Sequence, residues 1–183
     1  GGPAGTSYYD TAPLKETLPA KLALQGPLNT IWKEGGVWHG ANTDADALRE
    51  ALLLKPRGTV LLLGSGGVAE TSRTVLDALG FTVMQASRAS APSALVIAQA
   101  APIGVVQATS LGMAPGDPRP FPDLLEAARP SLRWAVEWVY KERTAFADWA
   151  TGLDLVDGAF LFEAQAEAQS RIFVDALPAA GSR

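Results

Sequence analysis

The chain of 183 residues has no cysteine and a single histidine, His39. The first absence removes disulfides, thiolate nucleophiles and cysteine-based metal sites; the second removes a histidine-rich metal centre. Acid–base chemistry then falls to Lys, Asp, Glu or Tyr, unless His39, set between Trp38 and Gly40, serves something beyond structure. No apolar run is long enough to cross a bilayer and no secretory-type segment opens the sequence, so the expectation is a cytoplasmic protein with no membrane partner. Basic residues number 15 against 19 acidic, a net charge of −4. No basic stripe interrupts that balance, which argues against a nucleic-acid partner. What the chain does have is apolar residues, 48% of the total. That is enough for one domain with a full core, or one domain and a small lobe.

The most informative stretch is TVLLLGSGGVAE over residues 59–70. An apolar run ends in glycines, and a helical pattern (Val68, Val75, Leu76, Leu79) follows, with Gly80 as its stop. Gly64, Gly66 and Ala69 fit the G-x-G-x-x-G/A spacing of a dinucleotide-binding turn. The first glycine permits the tight turn, the second lets backbone approach a pyrophosphate, and the small third residue lets helix pack on strand. The helix start offers unpaired N–H groups and a positive dipole end to phosphate. An ordinary glycine-rich strand–helix turn is the bland alternative. The next strand, residues 82–86, leads into Ser87 and Arg88. A site for NAD carries an acid about 20 residues past the glycines, on the ribose 2′-hydroxyl. This strand end has Arg88 instead, suited to a 2′-phosphate, so the expected cofactor is NADP. A solvated loop arginine is the alternative.

Strand patterns at 60–63, 82–86, 103–108, 134–139 and 154–156 alternate with helix patterns at 69–79, 93–99, 122–128 and 144–150. Such alternation predicts an α/β fold, a Rossmann-like doubly wound parallel sheet with its ligand crevice at the carboxyl ends of the strands. A connecting helix is expected over 45–54, starting near Thr43 or Asp44 and closing before Pro56. A long helix is expected over 159–177. Residues 29–32 and 36–39 read as a hairpin turning across 33–35. The expected domains are an NADP-binding unit at 44–158 and a small, incomplete α/β substrate lobe at 1–43, with the helix at 159–178 packed back on it.

Motifs in order along the chain resemble the shikimate dehydrogenase family. They are TAPLKE at 11–16, GPLNTI at 26–31, GANTD at 40–44, GSGGVA at 64–69, SRA at 87–89, ATSLGM at 108–113, EWVY at 137–140 with Thr144 downstream, and GAFLFEAQ at 158–165. The resemblance implies reversible reduction of 3-dehydroshikimate to shikimate with NADPH, a step toward aromatic amino acids by way of chorismate. By family role Lys15 and Asp44 form the catalytic pair. A ketone becoming an alkoxide needs a nearby cation and a proton source, and such a pair supplies both. Thr11, Asn29, Asn42, Tyr140 and Gln165 would hydrogen-bond the substrate, polar uncharged groups suited to a polyol. Gly64, Ser65, Gly66, Gly67, Val68 and Ala69 would hold the pyrophosphate, and Ser87 and Arg88 the 2′-phosphate. Thr109 and Ser110 would lie beside nicotinamide or ribose, with Trp138 and Gly158 flanking the nicotinamide. No metal is expected, and a monomer or homodimer is.

Taken singly, each of these has a plainer reading. Lys15 could be a surface lysine, Asp44 a helix cap, Asn29 and Asn42 turn residues, Tyr140 a strand-end aromatic, Gln165 solvent-facing and Met113 core. The sequence also departs from the family pattern. No paired-serine motif precedes Lys15, the stretch from Lys15 to Asn29 is short, and Ala47, Gln107 and Glu137 replace a glycine, an asparagine and an aspartate. Two other readings therefore stay open: a dehydrogenase for a related acid such as quinate, and an inactive NADP-binding or regulatory relative.

Overall fold

The computed structural model describes residues 28–34, 36–140 and 143–176. They fall into two compact units, a larger one of described residues between Asp44 and Gln165 and a smaller one of described residues up to Thr43 and from Ala166 onward.

The larger unit is built on a parallel sheet. Its strands are β3 (Thr59–Leu63), β4 (Thr82–Ala86), β5 (Gly104–Gln107), β6 (Trp134–Glu137) and β7 (Asp154–Val156). They lie in the order β4-β3-β5-β6-β7, and every neighbouring pair is parallel. Side chains alternate across a strand, so a sheet covered on both faces needs apolar residues at consecutive positions. Residues 60–63 provide them. Val60 and Leu62 join Val106, Trp134 and Val136 on one face. Leu61 and Leu63 join Val105 and Ala135 on the other. The first face is covered by α1 (Thr43–Leu52), α2 (Gly67–Ala78) and the start of α6 (Gly158–Ala176), through Leu48, Leu52, Val75, Leu76 and Leu161. The second is covered by α3 (Ala94–Ala100), α4 (Pro122–Ala128) and α5 (Ala145–Trp149), through Ile97, Leu125, Ala128, Phe146 and Ala150. Truncating one of these buried leucines to alanine costs about 2–5 kcal/mol.

Most elements lie where expected, with shifts at the ends. Ser93 and Thr144 cap α3 and α5 from outside, their side-chain oxygens accepting from Val96 N and Ala147 N. Helix α2 starts earlier than the apolar pattern, at Gly67, so Gly67 and Val68 belong to its first turn. It ends before Gly80, whose φ of +80° favours a residue without Cβ. Strands β5 and β6 stop before 108 and 138. At the far edge β7 is only three residues long, and its exposed Asp154 is paired with Lys55.

In the smaller unit β1 (Thr30–Glu34) and β2 (Val37–Ala41) form an antiparallel pair. The expected turn across 33–35 is wrong: Lys33 is a strand residue opposite Trp38. The turn lies further on, where Gly36 takes φ +82°. Trp32 stacks on His39 with ring centres 5.2 Å apart.

Candidate functional site

The order of strands fixes where a ligand site can form. From β3 the chain crosses by α2 to β4 on one side, then returns by α3 to β5 on the other. The crossover direction reverses between β3 and β5, and crevices open at the carboxyl ends of such a pair. The segments leaving those ends contain Gly64–Ala69, which runs into α2, and Thr109–Ser110, and the loop leaving β4 contains Ser87 and Arg88.

Gly64 has φ +126°, and a Cβ there would stand 2.6 Å from Ala108 O. Both the conformation and the space exclude a larger residue. Its N–H donates to Ala86 O at 2.8 Å, and Ala108 N–H donates to Leu63 O at 2.8 Å. The loops after β3, β4 and β5 thus start from one hydrogen-bonded row. Gly66 and Gly67 differ in kind. A Cβ on either would meet nothing within 4 Å. Gly66 caps α2 with no side-chain hydrogen bond to its first turn. Ser65, Gly66, Gly67 and Val68 are exposed, while Ala69 is buried against the sheet. An uncapped helix start reached only through glycine backbone is the arrangement a phosphate needs.

At the end of β4, Ser87 and Ser90 exchange backbone hydrogen bonds, and Ser90 N–H also donates to Ser87 Oγ at 3.2 Å. This small turn carries Arg88 outward, exposed. Thr109 is half-buried and Ser110 exposed in the loop after β5.

The loop after β6 is tied at its root. Trp138 N–H donates to Gln107 O at 3.1 Å, and its indole N–H donates to Ser72 Oγ at 3.0 Å. The ring packs against the core beneath α2. Tyr140 is exposed and stacks on Phe162 of α6, ring centres 4.9 Å apart. Gly158 lets α6 begin hard against this loop, since a Cβ would stand 2.3 Å from Val139 O. Met113, which could have been core, is exposed. Glu137 is buried at the end of β6 and accepts from Thr144 Oγ1 at 2.6 Å. Burial pushes its carboxyl above the ordinary range; the Thr144 hydrogen bond opposes this, and the negative charge of Asp157 adds to it.

In the smaller unit the Asn29 side chain is engaged. Its Oδ1 accepts from Thr43 N–H at 2.9 Å, and its Nδ2 donates to Thr43 Oγ1 at 2.9 Å. Asn29 therefore ties the start of the hairpin to Thr43. Asn42 precedes that helix, Asp44 stands in its first turn, and Gln165 lies on α6; all three are half-buried and engaged in interactions. Lys15 and Thr11 lie outside the described residues. Sequence reasoning missed Gln85, whose Nε2 donates to Gly64 O at 2.8 Å, and Phe162, the ring under Tyr140. Neither has a spacing signal, because each acts across the fold. Among the described residues no group of acids and histidines could hold a metal ion, and no helix is long and apolar enough to cross a membrane.

The sequence matches no protein-family model. A shikimate dehydrogenase (NADP⁺) of Xylella fastidiosa is 40% identical over 87 residues, 40% of this chain and 30% of that protein. The enzyme of the same name from Citrifermentans bemidjiense is 29% identical over 208 aligned positions, 92% of this chain and 69% of that protein. The stretches of strong identity thus span less than a third of the relatives that carry them. Among solved structures, shikimate 5-dehydrogenase of Thermus thermophilus, in complex with NADP(H) and shikimate, superimposes with a TM-score of 0.69 at 27% identity, over 83% of this chain and 64% of that one. Sequence likeness along nearly the whole chain and a common Rossmann-like architecture point the same way: the chain is similar to shikimate dehydrogenases in both sequence and fold.

Proposed function

We propose that the protein is an NADP-dependent oxidoreductase that interconverts 3-dehydroshikimate and shikimate. The observation that carries the reading is the glycine turn at the β3/β5 switch point, open at Gly66 and Gly67 and backed by an uncapped helix start. The cofactor fits these residues. Backbone N–H groups of residues 65–68 would hold the pyrophosphate, and the Arg88 guanidinium would pair with the 2′-phosphate, with the Ser87 hydroxyl beside it. Thr109 and Ser110 would stand beside the nicotinamide ribose, with Trp138 and Gly158 at the nicotinamide end. When bound, NADPH supplies a hydride to the substrate ketone.

The chain's own residues have the remaining tasks. Lys15 and Asp44 would hold and move the proton at the oxygen that changes between ketone and alcohol, the lysine cation favouring the developing alkoxide. Thr11, Asn29, Asn42, Tyr140 and Gln165 would orient the ring hydroxyls and the carboxylate. The Asn29 amide, already bonded to Thr43 through Oδ1 and one Nδ2 hydrogen, would reach a substrate with its second Nδ2 hydrogen. The protein is proposed to act in the cytoplasm, as a monomer or homodimer.

The test is NADP⁺ reduction, followed by NADPH absorbance, with shikimate and with quinate, and repeated with NAD⁺. Turnover with shikimate and NADP⁺, abolished by Lys15→Ala and by Asp44→Asn while NADP⁺ affinity holds, is the expected result. Turnover with quinate alone would move the substrate. NADP⁺ binding with no turnover of either acid would make the chain a binding protein.

A further inference from the structure

Gln107 occupies the last position of β5, opposite Leu63 on one side and Glu137 on the other. Its side chain is fully buried. A buried amide must find partners for both ends, and this one finds both in the loop that follows its own strand. Its Oε1 accepts from Thr109 N–H at 2.6 Å, and its Nε2 donates to Leu111 O at 2.8 Å. The two bonds grip the loop on either side of Ser110. Within it, Leu111 N–H donates to Thr109 Oγ1 at 3.2 Å and Met113 N–H to Ser110 O at 3.2 Å. The outer end is held separately, by Asp117 Oδ2 accepting from Gly112 N–H at 3.0 Å. The same loop presses on Gly64, whose absent Cβ would strike Ala108 O. An error in its path is therefore passed directly to the glycine turn.

We infer that Gln107 is a positioning residue: its amide fixes the 109–111 turn, and so the presentation of Thr109 and Ser110 to the nicotinamide end of the cofactor. The inference rests on the cofactor reading proposed above. The buried amide touches no ligand itself. It sets the backbone from which the contacting groups project, so its loss should weaken cofactor binding with the sheet intact.

Two variants separate positioning from folding. Gln107→Met keeps the length and removes both hydrogen bonds. Gln107→Asn keeps the amide on a shorter stem. Three readouts are needed: amide hydrogen exchange of residues 109–112 without ligand, NADP⁺ affinity by calorimetry, and KM for NADP⁺ and for shikimate. In Gln107→Met the 109–112 amides should exchange faster while those of β3 and β6 hold. NADP⁺ affinity should fall about tenfold, with KM for NADP⁺ rising and KM for shikimate unchanged. Gln107→Asn should recover part of both effects. Unchanged exchange in the turn, or unchanged affinity in Gln107→Met beside a wild type that binds, overturns the inference alone. A wild type that binds no NADP⁺, with a turn that still loosens in Gln107→Met, overturns the cofactor reading and the cofactor role of Gln107 with it.

Discussion

Thr144 uses one hydroxyl twice. Its hydrogen goes to the buried carboxyl of Glu137, and its lone pair accepts from Ala147 N–H at 3.0 Å, capping α5. One side chain closes the loop that bears Trp138 and Tyr140 and starts the next helix. Thr144→Val keeps the shape and removes both bonds. It leaves a buried acid short of a donor and a helix start uncapped, a loss of about 2–3 kcal/mol. Chemical denaturation measures it. A loss below about 0.5 kcal/mol would mean that neither bond matters to folding.

Glu137 gives the fold a pH dependence of definite sign. Its carboxyl is raised above the ordinary value of 4.5, chiefly by burial. The folded chain then holds this proton more tightly than the unfolded chain. The stabilising contribution is complete below the unfolded value and is lost as pH rises through the folded one. Glu137→Gln cannot ionise and still accepts from Thr144. The variant should gain on the wild type as pH climbs from 4.5 upward. Denaturation midpoints across that range test this, and parallel curves for the two proteins would refute it.

Two glycines should respond differently to the same change. A Cβ on Gly104 would stand 2.1 Å from the Trp134 ring, which lies across it from β6. Gly104→Ala should cost about 3 kcal/mol, because a fully buried indole has nowhere to go. A Cβ on Gly66 meets nothing. Gly66→Ala should cost no more than about 1 kcal/mol in stability, the effect of a poorer cap, yet weaken NADP⁺ binding about tenfold or more. Thermal unfolding and calorimetry on both variants decide the matter.

Arg88 should set cofactor choice. Arg88→Ala should weaken NADP⁺ about tenfold or more and leave NAD⁺ affinity where it was, since only the former carries the phosphate the guanidinium pairs with. Equal losses for the two cofactors would assign the phosphate grip elsewhere.

These contrasts follow what a sequence can and cannot encode. Gly64 and Gly80 are legible because a positive φ selects glycine, and the strands because a doubly covered sheet demands unbroken apolar runs. The hairpin turn is easily misplaced because Lys33 and Glu34, polar and beside glycines, look like a turn, whereas Gly36 supplies it. Gln107 stands out in the sequence only as a replacement for asparagine. That its amide reaches Thr109 and Leu111 depends on which loop folds over it. The engagement of Asn29 with Thr43 is likewise invisible, being a contact between residues fourteen positions apart that meet only once hairpin and helix exist.

The short strand β7 has a consequence at high protein concentration. A sheet margin with bare N–H and C=O groups is a template on which a second chain can add a strand, the first step toward aggregation. Here the margin runs for only three residues and opens on Asp154, exposed and held by Lys55. A foreign strand would gain few backbone bonds and would have to lie beside a fixed carboxylate. At this edge the sheet offers a second chain little to pair with.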